Sequence, residues 1–131
     1  MEDLKQPGFR EALEQLRKNV GNIQAVIFVG PEGVVDHLVE DSNLDIETIV
    51  GEYIPLLHIA CSVSEDSGAG NLVENIVVSE RSVMLARCIS PKDYLILLSR
   101  SQDQTGRARY ELKRAAWKLQ RQGSNPYSST R

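Results

Sequence analysis

The sequence predicts an α/β fold: a five-stranded antiparallel sheet of order 2-1-5-4-3, with two helices on one face and one on the other. Three observations predict it. Hydrophobic periodicity switches along the chain to give the order α-β-β-α-β-β-β-α. The most apolar strand-like segments are the first and the last, Ile23 to Val29 and Tyr94 to Ser99, so both belong in the centre, side by side. The connections within each strand group are short, which makes those pairings antiparallel. The first and last helices then flank adjacent central strands and share a face. The middle helix joins the two edge strands and covers the other.

Each element has its own grounds. After Pro7-Gly8, the residues Phe9, Leu13, Leu16 and Val20 recur at helical spacing, and Gly21-Asn22 ends that helix. Ile23 to Val29 is short, apolar and rich in β-branched residues, as in a strand buried on both faces. Gly30-Pro31-Glu32-Gly33 is a turn, and Val34 to Val39 returns as a hairpin partner. Ser42-Asn43-Leu44-Asp45 resembles a capping box for a second helix reaching Glu65. Its apolar stripe is Ile46, Ile49, Val50, Tyr53, Ile54, Leu57 and Cys61. Pro55 lies inside this stripe, and should either kink the helix or break it in two; the resumed periodicity favours a kink. Ser67 to Gly70 is a loop. Leu72 to Ser79, Ser82 to Ile89 and Tyr94 to Ser99 form a meander. Gln104 to Arg121 is a third helix with Ala108, Leu112, Ala115 and Leu119 on one face. One domain over residues 1–121 and a polar, disordered tail over 122–131 complete the expectation.

The chain has 131 residues, 41% hydrophobic and 25% charged, as expected of a soluble globular protein. No uninterrupted apolar run approaches the about 20 residues that span a bilayer, so no membrane insertion is expected. The start, Met1-Glu2-Asp3-Leu4-Lys5, lacks the features of a signal peptide, so the expected location is cytoplasmic. Cys61 and Cys88 have no histidine at ligand spacing and read as small buried hydrophobes, not a metal site. Net charge is −3, but unevenly placed. Eleven acids and no Lys or Arg lie between Glu32 and Glu80, whereas seven basic residues face two acids between Arg100 and Arg121. The basic helix reads as a solvated face; the acidic segment is a candidate partner surface. A pI near 5.4 and the lack of an aromatic-basic motif argue against nucleic-acid binding.

Signs of chemistry are missing. Gly68-Ala69-Gly70 is not followed by the Gly-Lys-Ser/Thr of a phosphate loop, so it reads as a simple loop. His37 reads as a solvent-facing strand residue. His58 lies past the helix kink and reads as a surface residue or one satisfied locally. Neither has a nucleophile or metal partner in the pattern. No catalytic, cofactor-binding or metal-binding residue is therefore assigned, and no cofactor is expected. Tyr110 and Trp117 fall off the Leu112–Leu119 stripe. They are expected to pack on the first helix, the alternative being an exposed anchor for a partner.

The element order carries three telling segments: Gly21 to Val29 followed by Pro-Glu-Gly; Leu44-Asp45-Ile46-Glu47; and Tyr94 to Leu98 before Gly106 to Leu112. As a set, over about residues 8 to 121, they resemble the Roadblock/dynein light chain domain family, in particular its MglB-like prokaryotic members. Pro55 and the short tail depart from that pattern. The resemblance implies a homodimer or heterodimer whose third strands pair across the two-fold axis, with the middle helices beside the seam. It also implies a noncatalytic scaffold or regulator that binds a Ras-like small GTPase. Carried onto this sequence, the dimer seam is Leu72, Val73, Glu74, Asn75, Ile76, Val77 and Val78. The partner surface is Glu47, Glu52, His58, Glu65 and Asp66, which lie off the apolar stripe of the middle helix. The alternative is a PAS- or profilin-like small-molecule sensor, which would need convergent polar groups in a pocket between sheet and helix.

Overall fold

The computed structural model describes residues 7–121. The expected tail, 122–131, lies outside them. The chain runs α1 (Pro7–Asn19), β1 (Ile23–Gly30), β2 (Gly33–Val39), α2 (Ile46–Asp66), β3 (Glu74–Val78), β4 (Val83–Ser90), β5 (Asp93–Ser99), a short 3-10 turn (Gln102–Gln104) and α3 (Thr105–Arg121). The five strands form one antiparallel sheet of order β2-β1-β5-β4-β3, as the sequence predicts.

Period-2 alternation divides the central strands between two cores. Val26 and Phe28 of β1 with Leu95 and Leu97 of β5 face α1 and α3, where Leu13, Leu16, Ala108, Leu112 and Leu119 close over them. Ala25, Ile27 and Val29 with Tyr94, Ile96 and Leu98 face α2, which supplies Val50, Tyr53 and Leu57. Burial on both sides is what makes β1 and β5 read as continuous apolar runs. At the β1–β2 turn, Gly33 has φ +123°, a conformation that side chains disfavour. The pairing moves from Phe28↔Asp36 to Val29↔Val34, so Val35 is an extra residue in β2 and forms a bulge.

One local expectation is corrected. The N-cap of α2 is Asp45, not Ser42. Asp41 folds the preceding residues into a turn, its carboxylate accepting from Asn43 N–H (3.0 Å) and its carbonyl from Leu44 N–H (3.1 Å). Helical conformation therefore starts only after Asp45, whose carboxylate accepts from Thr48 N–H (3.2 Å) and Thr48 Oγ1–H (2.8 Å). Pro55 lies inside the middle helix without breaking it in two: the helix is continuous from Ile46 to Asp66, the alternative of two helices being the one set aside. The carbonyl that Pro55 leaves without a donor belongs to Gly51, an exposed residue. Solvent can satisfy it.

Candidate functional site

The two surfaces that stand out are the outer side of α2 with the adjoining β3 edge, and a groove beside α3. The first is built on α2. One side of this helix is fixed on the sheet by Val50, Tyr53 and Leu57. The Tyr53 hydroxyl donates to Asn75 Oδ1 (2.9 Å), which ties α2 to β3, and burial raises the Tyr53 pKa. About 100° per residue separates successive side chains. By that spacing Glu52, Leu56, Ile59 and Val63 form one line on a flank away from the sheet. Leu56, Ile59 and Val63 are 44%, 62% and 61% exposed. The single apolar stripe expected from the sequence does not include this line. Its signal is nonetheless present: α2 is apolar on more than one side, with mean hydropathy 1.3 over a window long enough to cross a membrane by length and composition. Its packed face of Val50, Tyr53 and Leu57 is that of a helix seated on a sheet.

All five expected partner residues, Glu47, Glu52, His58, Glu65 and Asp66, are exposed. They do not form one patch. Glu47, His58 and Glu65 share a line on the opposite flank of α2, where the His58 ring lies 6.4 Å from that of Tyr94. Glu52 stands with Leu56 and Ile59, and Asp66 lies at the end of the helix. The Asp45 carboxyl is held below the usual carboxylate range by its hydrogen bonds to Thr48. Gly68 and Gly70 have φ +82° and +94°, and Ser64 Oγ donates to Gly70 O (2.7 Å). The glycines thus shape the turn that leaves α2.

β3 lies at the sheet edge and is shorter than expected, Glu74 to Val78, with Leu72 and Val73 before it. Its hydrogen-bonding direction follows from its ends. Ser79 N–H donates to Ser82 O (2.8 Å), and Cys88 N–H donates to Val73 O (3.0 Å). Between them the register is regular, with Val77 opposite Met84 and Asn75 opposite Ala86. Antiparallel pairs alternate, so Asn75 and Val77 turn their backbone groups toward β4. The N–H and C=O groups of Glu74, Ile76 and Val78 therefore point to the open edge. Glu74 is also fixed from above, since Arg109 of α3 donates to both its carboxylate oxygens (Nε to Oε2, 3.0 Å; Nη2 to Oε1, 2.8 Å).

The groove beside α3 measures about 670 Å³ and runs between α3, the Asn71–Val73 segment and the end of β4. Two further expectations are corrected here. Tyr110 and Trp117 do not pack on α1; they are each 57% exposed and line this groove. At helical spacing they fall nearly opposite the buried Leu112–Leu119 stripe, whereas α1 meets the flank of α3 carrying Glu111, Ala115 and Lys118. Cys61 and Cys88 are half-buried rather than fully buried, Cys88 packing against the α2-side core, and both border the groove. Cys61 Sγ lies 3.7 Å from the Tyr94 hydroxyl, and burial together with the neighbouring Cys61 pushes the Cys88 thiol up to about 12. That thiol is protonated at neutral pH and a poor nucleophile.

No family model and no curated protein matches the chain. Solved structures do. MglC from Myxococcus xanthus is 28% identical, over 88% of this chain and 98% of that one, with a TM-score of 0.62. The gliding protein MglB from Thermus thermophilus is 15% identical, over 89% and 91%, with a TM-score of 0.76. A Roadblock/LC7 domain from Streptomyces avermitilis is 11% identical, over 86% and 94%, with a TM-score of 0.74. An MglB structure with a tetrameric arrangement also matches, at 16% identity and a TM-score of 0.76.

Proposed function

We propose that this chain, whose fold is that of the Roadblock/LC7 domains, is a noncatalytic dimeric scaffold that binds a Ras-like small GTPase and regulates it. The observation that carries the reading is the apolar line Leu56, Ile59 and Val63 on α2, together with the open edge of β3, to which α2 is tied through Tyr53 and Asn75. An edge with unpaired backbone groups invites another strand, and a second copy satisfies it symmetrically. The seam is Leu72, Val73, Glu74, Asn75, Ile76, Val77 and Val78, with the strand itself from Glu74 to Val78 supplying the ladder. The MglB neighbour in a tetrameric arrangement supports self-association.

The GTPase partner comes from the family resemblance, and the charge of α2 gives it a surface. With the Leu56 line used by the second copy, Glu47, His58 and Glu65 remain on the opposite flank, and Asp66 lies at the helix end. Such rim charges act mainly on association rate and salt dependence. Glu47→Lys with Glu65→Lys should weaken binding of the cognate GTPase strongly at low salt and leave the dimer intact. Lys118→Glu on α3 should change little. Binding measured for both variants by biolayer interferometry decides it; loss in the α3 variant alone would move the surface elsewhere. The sensor alternative has less support, because Val50, Tyr53 and Leu57 fill the space between α2 and the sheet.

A further inference from the structure

We propose that the groove between α3 and the β3–β4 side of the sheet is a second binding site, for an acidic peptide segment that carries an apolar anchor residue. Its body lies on α3 and on the end of β4, and it borders the surfaces of the proposed function at Cys61 and Glu65 of α2 and at Leu72 and Val73 of the seam. Tyr110 and Trp117, two turns apart on α3, form its rim. Ile89 and Ala116, both buried, with Val73, which is largely exposed, give it apolar lining. Its volume, about 670 Å³, falls within the range of about 300–1,000 Å³ typical of recognition pockets. Exposed Tyr and Trp beside an apolar recess are the residue types that dominate binding energy at interfaces.

Charge selects the occupant. The groove brings together Arg87, Lys113 and Arg114 against one acid, Glu65, in a chain whose net charge is −3. Arg114 is already shared between Glu111 (3.7 Å) and the face of Tyr110 (5.9 Å to the ring centre). Arg87 stands 4.0 Å from Glu74. Lys113 has no ion pair among the described residues and lines the groove with Tyr110 and Trp117, so an incoming carboxylate meets an ammonium that no described carboxylate neutralises. The chain's own residues 122–131 follow directly on α3, but they contain no Asp or Glu and do not complement this charge. A nucleic acid fits less well than a peptide, since its affinity comes from many phosphate contacts and this chain has a pI near 5.4.

Trp117 is the only tryptophan, so its emission reports the groove directly. The test selects binders from a random peptide display library on the full chain, then titrates synthetic copies of the enriched peptides. Enriched sequences should carry Asp or Glu around a Leu, Phe or Trp, and should shift Trp117 emission. Lys113→Glu should weaken them at least about tenfold, the loss of one hot-spot contact. Trp117→Ala, followed by calorimetry, should do the same, while Glu47→Lys leaves affinity unchanged. Enrichment of nothing, or of sequences without acids, overturns the proposal. So does affinity that survives both groove variants in folded protein. If Lys113→Glu and Trp117→Ala instead lower the oligomeric state in sedimentation velocity, the groove is a contact between copies and the peptide site is wrong. Competition by a single-stranded oligonucleotide at equal charge would overturn it too.

Discussion

Ile59→Glu combined with Val63→Glu should convert the proposed dimer to a folded monomer. Full burial of such a side chain stabilises by about 1.5–3 kcal/mol. Ile59 and Val63 still expose about three-fifths of their surface in the single chain, so each has about 1–2 kcal/mol left to gain. A two-fold axis uses each residue twice. Four side chains then contribute roughly 4–7 kcal/mol to association, or about three to five powers of ten in Kd. Within one protomer the same changes sit on a solvated helix flank, where substitutions stay within about 0.5 kcal/mol. Glutamate is also a good helix former. Sedimentation velocity at micromolar concentration should show monomer for the variant and dimer for the wild type. Circular dichroism should show the same helix content in both. A variant that remains dimeric at wild-type concentrations removes α2 from the interface, and a monomeric wild type refutes the dimer itself.

Two further outcomes follow from local geometry. Ile76→Pro removes a backbone donor that points to the open edge, so it should weaken the dimer while the β3–β4 ladder persists; Val77→Pro removes a donor turned toward β4 and should unpair β3 within the protomer. Amide hydrogen exchange of the β4 residues Met84 to Ala86 separates the two, and equal protection in both variants would contradict the alternation deduced from Ser79 and Cys88. At the N-cap of α2, the folded pKa of Asp45 is depressed by Thr48. Its contribution is therefore present above the unfolded pKa and is lost as pH falls through the folded one. Thermal melts should place Asp45→Asn below the wild type at neutral pH and bring the two together in acid; a gap that persists or widens at low pH would contradict this cap.

Legibility in the sequence followed how strongly each residue was constrained by burial. Ile23 to Val29 and Tyr94 to Leu98 are covered on both faces, so nearly every position had to be apolar, and strand order could be read from them. The α1 and α3 stripes were legible because only one side of each is buried. α2 misled for the opposite reason. Its apolar residues serve two surfaces: the sheet, through Val50, Tyr53 and Leu57, and the outer flank, through Leu56, Ile59 and Val63. A search for one stripe finds the first and absorbs or ignores the second. The five candidate partner residues were identified only by lying off that stripe, which says nothing of their angle to one another. Glu47 and Glu52, both off that stripe, stand on different flanks of α2. Tyr110 and Trp117 show the same limit: spacing of seven establishes a shared line, but only the position of α1 decides whether that line is covered. Candidate interaction surfaces on this chain are therefore the places where apolar residues exceed what the cores consume, and that excess can be counted only after the cores are known.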